Sequence, residues 1–227
     1  MDRSNKHRGC GNTMKTNLTA FRTPKTVLRS ALVVLLLVLM APPQGAQAQS
    51  AADARALVQN LADRALKILA DKSVSKASRE AEFAKLFIRN FHTRSIGVFV
   101  LGRHWRQATP AQRKAYLAVF ERLIVKTYTV RLSQYAGEQF QVRRATGPDG
   151  GAYSVDSVVL QPGRTAIPLR WSIRRARSGL KIVDVVIENL SMAQTQRDEF
   201  AAILRRRGSI DGLIKALQEK MQTLDKG

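Results

Sequence analysis

Between Thr109 and Tyr135, apolar side chains return every three or four residues: Tyr116, Val119, Phe120, Leu123, Thr127 and Tyr128. That period predicts one long amphipathic helix. Thr109 can cap its start, Pro110 suits its first position, and no glycine or proline follows until Gly137. Arg113, Glu121, Arg122 and Lys126 fall mostly on the other faces. At ~1.5 Å per residue the helix spans roughly 40 Å, and an aromatic-rich face of that length needs a broad apolar partner. Shorter helical patterns precede it. Leu57, Leu61, Ala65 and Ile68 or Leu69 make a stripe within Ala51–Ala70. Ser75 or Ser78 opens a segment with Phe83, Phe87, Ile88 and Phe91. Arg94–Leu101 is a short apolar helix closed by Gly102, and Arg103-His104-Trp105-Arg106 forms an elbow.

After Gly137 the period changes to two. Phe140 and Val142 alternate with polar neighbours, then Tyr153, Val155, Ser157 and Val159, then Ile167, Leu169, Trp171 and Ile173. Gly147-Pro148-Asp149-Gly150-Gly151, Pro162-Gly163 and Ser178-Gly179 read as turns between these strands. In Leu180–Ile187, Val183, Val185 and Ile187 fall on one side and Leu180, Ile182 and Val186 on the other, so both faces of that strand read as buried, with Asp184 among them. Ser191 caps a helix ending near Arg207, and Ile210, Leu213, Ile214 and Leu217 mark a last one. The fold class expected is α+β: helices over residues 51–136, a curved four-stranded antiparallel sheet over 138–188 and helices over 191–224, with one sheet face to be covered.

The N-terminus changes the picture of where this domain works. Lys15, Arg22, Lys25 and Arg29 precede the apolar run Ala31–Ala41, and Ala46-Gln47-Ala48 is a small-x-small cleavage signal. This is the grammar of a secretory signal peptide over residues 1–48, with Met1 or Met14 as the start. The run is 11 residues long, short of the ~20 that a spanning helix needs. The domain left is 49–227, and the expected location is the bacterial periplasm. Removing the leader takes away seven of 38 basic and one of 17 acidic residues, leaving 31 against 16, a net charge of +15. Cys10 leaves too, so no disulfide framework remains. Such a charge commonly signals nucleic acid, but export removes that partner. A solvated basic surface, anionic lipid headgroups or an acidic protein are the readings left.

Catalytic chemistry is poorly supplied. After Ala48 there are two histidines, His92 and His104, no cysteine, and none of the common metal, phosphate-loop or nucleophile motifs. An acid–base site could draw His92 or His104 together with Asp184 or Glu188, but they lie in different elements and their spacing favours nothing. The expectation is therefore no enzyme and no cofactor. A half-buried sheet facing helices rich in Phe, Tyr, Val and Ile either closes into a dry core or leaves a cavity for an apolar ligand, and the pattern alone leaves both open.

The order of certain residues adds to this. Gly102-x-x-Trp105, Thr109-Pro110-x-Gln112-Arg113, Phe120-x-x-Leu123-Ile124-x-x-Thr127-Tyr128 and Tyr135, then Ile182–Ser191 (IVDVVIENLS) and Gln196-Arg197-x-x-Phe200, together resemble the MlaC family. These are periplasmic lipid-carrying components of the Mla ABC transport system, also called toluene-tolerance proteins. Leu180 and Gln196 depart from the family pattern, which often has Trp and Tyr there. The resemblance implies a monomeric shuttle with an NTF2-like curved sheet. Its cargo would be phospholipid or a hopanoid-like lipid, passed between an outer-membrane lipid complex and an inner-membrane ABC transporter complex. It implies lipid contacts from Phe91, Phe99, Trp105, Phe120, Ile124 and Tyr128 on the helices. On the sheet it implies Val155, Val159, Ile167, Leu169, Trp171, Val183, Val185 and Ile187, with Asp184 and Arg197 as a structural polar pair. The rival expectation is an exported basic interaction module with a dry core, held to an acidic partner or an anionic membrane surface.

Overall fold

A computed structural model of the chain describes residues 44–132, 138–161 and 163–226. The expected leader lies outside them apart from Gln44–Ala48, as do the end of the long helix up to Tyr135 and Pro162. Within the compact unit Pro43–Gly227, five helices come first: α1 (Gln44–Ala70), α2 (Lys76–Asn90), α3 (Thr93–Leu101), α4 (His104–Gln107) and α5 (Pro110–Leu132). Strands β1 (Gln139–Asp149), β2 (Ala152–Leu160), β3 (Ile167–Ala176), β4 (Gly179–Ile187) and β5 (Leu190–Ser191) follow, and α6 (Met192–Arg207) and α7 (Ile210–Lys226) complete the chain. No helix among the described residues is long and apolar enough to cross a membrane.

Local chemistry sets most of these boundaries. Thr109 and Gln112 form a reciprocal capping box at α5: the Gln112 amide donates to Thr109 Oγ1 (3.2 Å) and the Thr109 amide to Gln112 Oε1 (3.0 Å). Of the two serines that could open α2, Ser75 does so, its Oγ accepting from the Ser78 amide at 3.1 Å. His92 caps α3 through Nδ1, which accepts from the Ser95 amide (3.2 Å). Ser191 caps α6 by accepting from the Gln194 amide (3.0 Å).

The sheet is an antiparallel meander in the order β1-β2-β3-β4-β5. It departs from the sequence reading in three ways. β1 runs through Gly147-Pro148 to Asp149, leaving only Gly150 and Gly151 as the turn. A proline is tolerated there because β1 is an edge strand whose outer amides need no ladder partner. A fifth strand of two residues folds back on β4 through Glu188 and Asn189, both at positive φ (49° and 67°).

The third departure concerns β4. Ser172 pairs with Asp184 but Ile173 pairs with Ile182, so Val183 is an extra residue on β4. A bulge of this kind reverses the alternation beyond it. Ile182 therefore shares a face with Val185 and Ile187, through their partners Ile173, Trp171 and Leu169. Leu180 and Ile182, which strict alternation puts on the far face, join the helix-facing cluster, and no residue of the strand is exposed on either face. A matching bulge interrupts β1 between Val142 and Arg144. Arg55 of α1 donates to the carbonyls of Arg143 (2.9 Å) and Val142 (3.0 Å) there, satisfying acceptors that the ladder leaves free. With a further register shift on β1 between Thr146 and Asp149, these irregularities fall on the two strands flanking β2 and β3, and bulges of this kind bend a strand and increase its twist.

That side does not close into one core. One cluster is helical: Leu101, Tyr116, Phe120, Leu123, Phe200, Leu213 and Leu217 are all fully buried in it. Close approach is needed, since a Cβ on Gly97 would lie 2.9 Å from Leu117 and 3.0 Å from Phe120. The Tyr116 hydroxyl, its pKa pushed up by burial, donates to the Gly97 carbonyl at 2.9 Å. The other cluster lies between α1 and the sheet: Ala54, Val58, Val142, Tyr153, Val155, Ile173 and Ile182. Ala65, Ile68 and Phe91 are only partly buried and border both clusters.

Candidate functional site

The seam between the two clusters is a cavity of about 510 Å³. Leu61, Ala62, Ala65, Leu66 and Leu69 of α1 form one wall. Phe83, Phe87, Ile96, Phe120, Ile124 and Tyr128 from α2, α3 and α5 form another, and the sheet supplies Phe140, Val159, Leu169, Trp171, Val183, Val185 and Ile187. Phe87 stacks on Phe91 at 4.0 Å between centroids, with Tyr128 6.1 Å away, so part of the wall is a fixed aromatic surface. Desolvation raises the Tyr128 hydroxyl above its ordinary range, which keeps it neutral. Trp171 is oriented by a 2.8 Å hydrogen bond from its indole nitrogen to Ser157 Oγ. That bond satisfies its polar atom and leaves the ring for apolar contact. The polar lining residues are Arg131, Glu138, Gln139, Gln161, Asp184 and Gln196. The first four come from the end of α5, the start of β1 and the residue after β2, and Gln161 Nε2 donates to Glu138 Oε1 at 3.3 Å.

Of the residues singled out in the sequence, Phe91, Phe120, Ile124, Tyr128, Val159, Leu169, Trp171, Val183, Val185 and Ile187 meet around this cavity. Four do not. Phe99 is 43% exposed because α3 turns Thr93, Gly97, Val100 and Leu101 inward, and it lies off that stripe. The Trp105 ring carries the guanidinium groups of Arg94 and Arg113 at 5.9 and 5.2 Å, and Arg113 Nε also donates to the Trp105 carbonyl (2.9 Å). Trp105 thus locks the elbow into α5. Val155 faces the helices but is covered by α1 in the second cluster. Ile167 is the first residue of β3, beyond the lining.

The expected Asp184–Arg197 pair is not formed. Asp184 Oδ1 accepts from the amides of Val185 (2.8 Å) and Ala193 (3.0 Å), and Oδ2 from Ser191 Oγ (2.6 Å). Its carboxylate therefore braces the start of α6, where negative charge is favoured. Arg197 instead stacks on Phe99 at 5.1 Å. Asp184→Ala should cost about 2–3 kcal/mol in chemical denaturation by stranding these donors, and Asp184→Asn, which keeps an acceptor, should recover more than half. An Asn variant as damaged as Ala would show that charge, not capping, is what the position supplies.

The α1 wall is what sequence reasoning missed. Its signal was the Leu57-Leu61-Ala65 stripe with small Ala62 and Ala65, which reads equally well as ordinary core. Neither His92 nor His104, the histidines weighed for an acid–base site, lines this cavity.

The family model described as MlaC protein matches residues 59–219. The chain is 22% identical over 173 residues to the intermembrane phospholipid transport system binding protein MlaC of Haemophilus influenzae, covering 72% of this chain and 79% of that one. In fold it is similar to a phospholipid-binding protein from Ralstonia solanacearum solved in complex with a phospholipid, with a TM-score of 0.66 and 23% identity over 75% of this chain and 98% of that one. The chain belongs to the MlaC family.

Proposed function

We propose that this protein is a periplasmic carrier that holds the acyl part of a phospholipid, or of a related lipid such as a hopanoid, in the cavity between its two cores. The observation that carries the reading is the cavity itself: about 510 Å³, walled by apolar side chains from α1, α2, α5 and the sheet, with its polar groups concentrated near Arg131 and Gln161. Burying methylenes is worth ~0.8 kcal/mol each, so acyl chains supply ample gross affinity without a reactive group. The names of the Haemophilus and Ralstonia relatives support phospholipid as the cargo class. Arg131, an exposed lining residue whose guanidinium lies 5.8 Å from the Tyr128 ring centroid, would meet a headgroup phosphate. The carrier would pass lipid between an outer-membrane complex and an inner-membrane ABC transporter. It would release cargo where partner binding favours a state in which helices and sheet part.

Salt separates this reading from attachment to a membrane surface. After incubation with phospholipid vesicles and their removal by centrifugation, the protein should retain lipid equally in low and molar salt. Attraction through surface arginines fades with ionic strength. Retention that vanishes in high salt would contradict the buried-chain reading.

A further inference from the structure

A second recess, of about 600 Å³, shares no lining residue with the first. It lies where the α3–α4 elbow meets α6 and the α6–α7 turn. Its buried floor includes Leu101 and Leu204, beside Ile210, and around it stand Arg103, His104, Arg197 and Arg205. No carboxylate is in the lining. The nearest in sequence, Asp211, accepts from Gln112 Nε2 at 2.9 Å.

The three arginines are not among the cations of this chain that pair with a carboxylate. Arg207 pairs with Glu219 (2.7 Å), Arg170 with Asp156 (2.9 Å) and Lys126 with Glu80 (3.3 Å). Among the described residues no carboxylate pairs with Arg103, Arg197 or Arg205. The carbonyl pole of α6 accounts for a cation at Arg205, but not for Arg197, about two turns earlier on the same helix, or for Arg103 from the α3–α4 elbow. Arg197 is also held in advance. It lies on the Phe99 ring, and its guanidinium sits 3.1–3.2 Å from where a Cβ of Gly102 would stand. Gly102, at φ +59°, therefore both ends α3 and leaves room for that cation. A cation already fixed loses less freedom when an anion arrives.

We propose that this recess docks an acidic segment of a partner protein, its carboxylates on Arg103, Arg197 and Arg205 and an apolar side chain on the Leu101–Leu204 floor. Charge complementarity and shape select this occupant. A flat bilayer would meet the exposed arginines but leave a concave apolar floor unfilled. The inference is independent of the carrier reading.

The test uses fluorescence anisotropy of a labelled Glu/Leu peptide on the purified protein, with inorganic phosphate as competitor and flotation on phosphatidylglycerol vesicles alongside. The native protein should bind the peptide. Arg103→Glu with Arg205→Glu should weaken binding at least tenfold, and Arg103→Gln with Arg205→Gln by an intermediate factor. Both should leave bound lipid unchanged and the Gln pair should also leave melting unchanged, which separates this result from any failure of the carrier reading. The control Arg164→Glu with Arg174→Glu, exposed and outside the recess, should change it less than twofold. Equal loss in the control would assign the attraction to diffuse surface charge and overturn the proposal. No peptide binding, complete displacement by millimolar phosphate, or vesicle binding in place of peptide binding would overturn it as well.

Discussion

A protein carrying Ala65→Phe should hold lipid roughly fiftyfold less tightly than the native chain while melting at or above its temperature. Ala65 lies on α1 at the seam between the two clusters and lines the cavity. The added ring brings six carbons that take the place of about as many methylenes of a bound chain. At ~0.8 kcal/mol each the gross loss approaches 5 kcal/mol. If rerouting the chain recovers half, about 2.5 kcal/mol remains, which is the fiftyfold change stated. Stability should move the other way. The ring buries apolar surface worth about 1.5–3 kcal/mol, against a helix-propensity cost of roughly 0.5 kcal/mol. Retained lipid content would show that the cavity is not where the chains reside.

Phe120→Ala should lower the melting temperature by about 10 °C. Phe120 is 1% exposed, 5.7 Å from the Tyr116 ring and 6.1 Å from that of Phe200, and it also forms part of the cavity wall. Truncating such a residue costs about 3–5 kcal/mol because the space left behind cannot fully collapse. For a domain of this size that converts at roughly 2–4 °C per kcal/mol. It is also a large share of the ~5–15 kcal/mol that stabilises a typical domain. Phe99→Ala is the matched control. Its ring is 43% exposed and packs on the Arg197 guanidinium, so its loss should cost under about 1 kcal/mol. A calorimetric ranking with Phe99 above Phe120 would contradict the assignment of the helical core.

The contrast between those two phenylalanines shows what the sequence could reveal. In α5 Glu121, Arg122 and Lys126 mark the polar side, and Phe120, Ile124 and Tyr128, at four-residue steps, meet at the cavity. In α3 the run Ile96-Gly97-Val98-Phe99-Val100-Leu101 is apolar all round and fixes no phase, and Phe99 points outward. β3 was legible for the same reason as α5: Leu169 and Trp171 alternate with Pro168 and Arg170. β4 was legible in part: Val183, Val185 and Ile187 line the cavity together, but Leu180 and Ile182 join the same side because Val183 is an added residue whose effect on alternation depends on pairing with β3. The polar pair failed differently. The Asp184 carboxylate is occupied by the start of α6 and the Arg197 guanidinium by an aromatic ring. Sequence order cannot choose among such partners.

The central claim, that the gap between two cores is filled by lipid in the working protein, is tested most directly by extraction. The full chain would be expressed with its expected leader and the protein recovered from the periplasm, purified in high salt without detergent, and its organic extract weighed by mass spectrometry. The account predicts stoichiometric phospholipid or hopanoid in the extract. A protein that emerges lipid-free and stays empty after mixing with vesicles would contradict it.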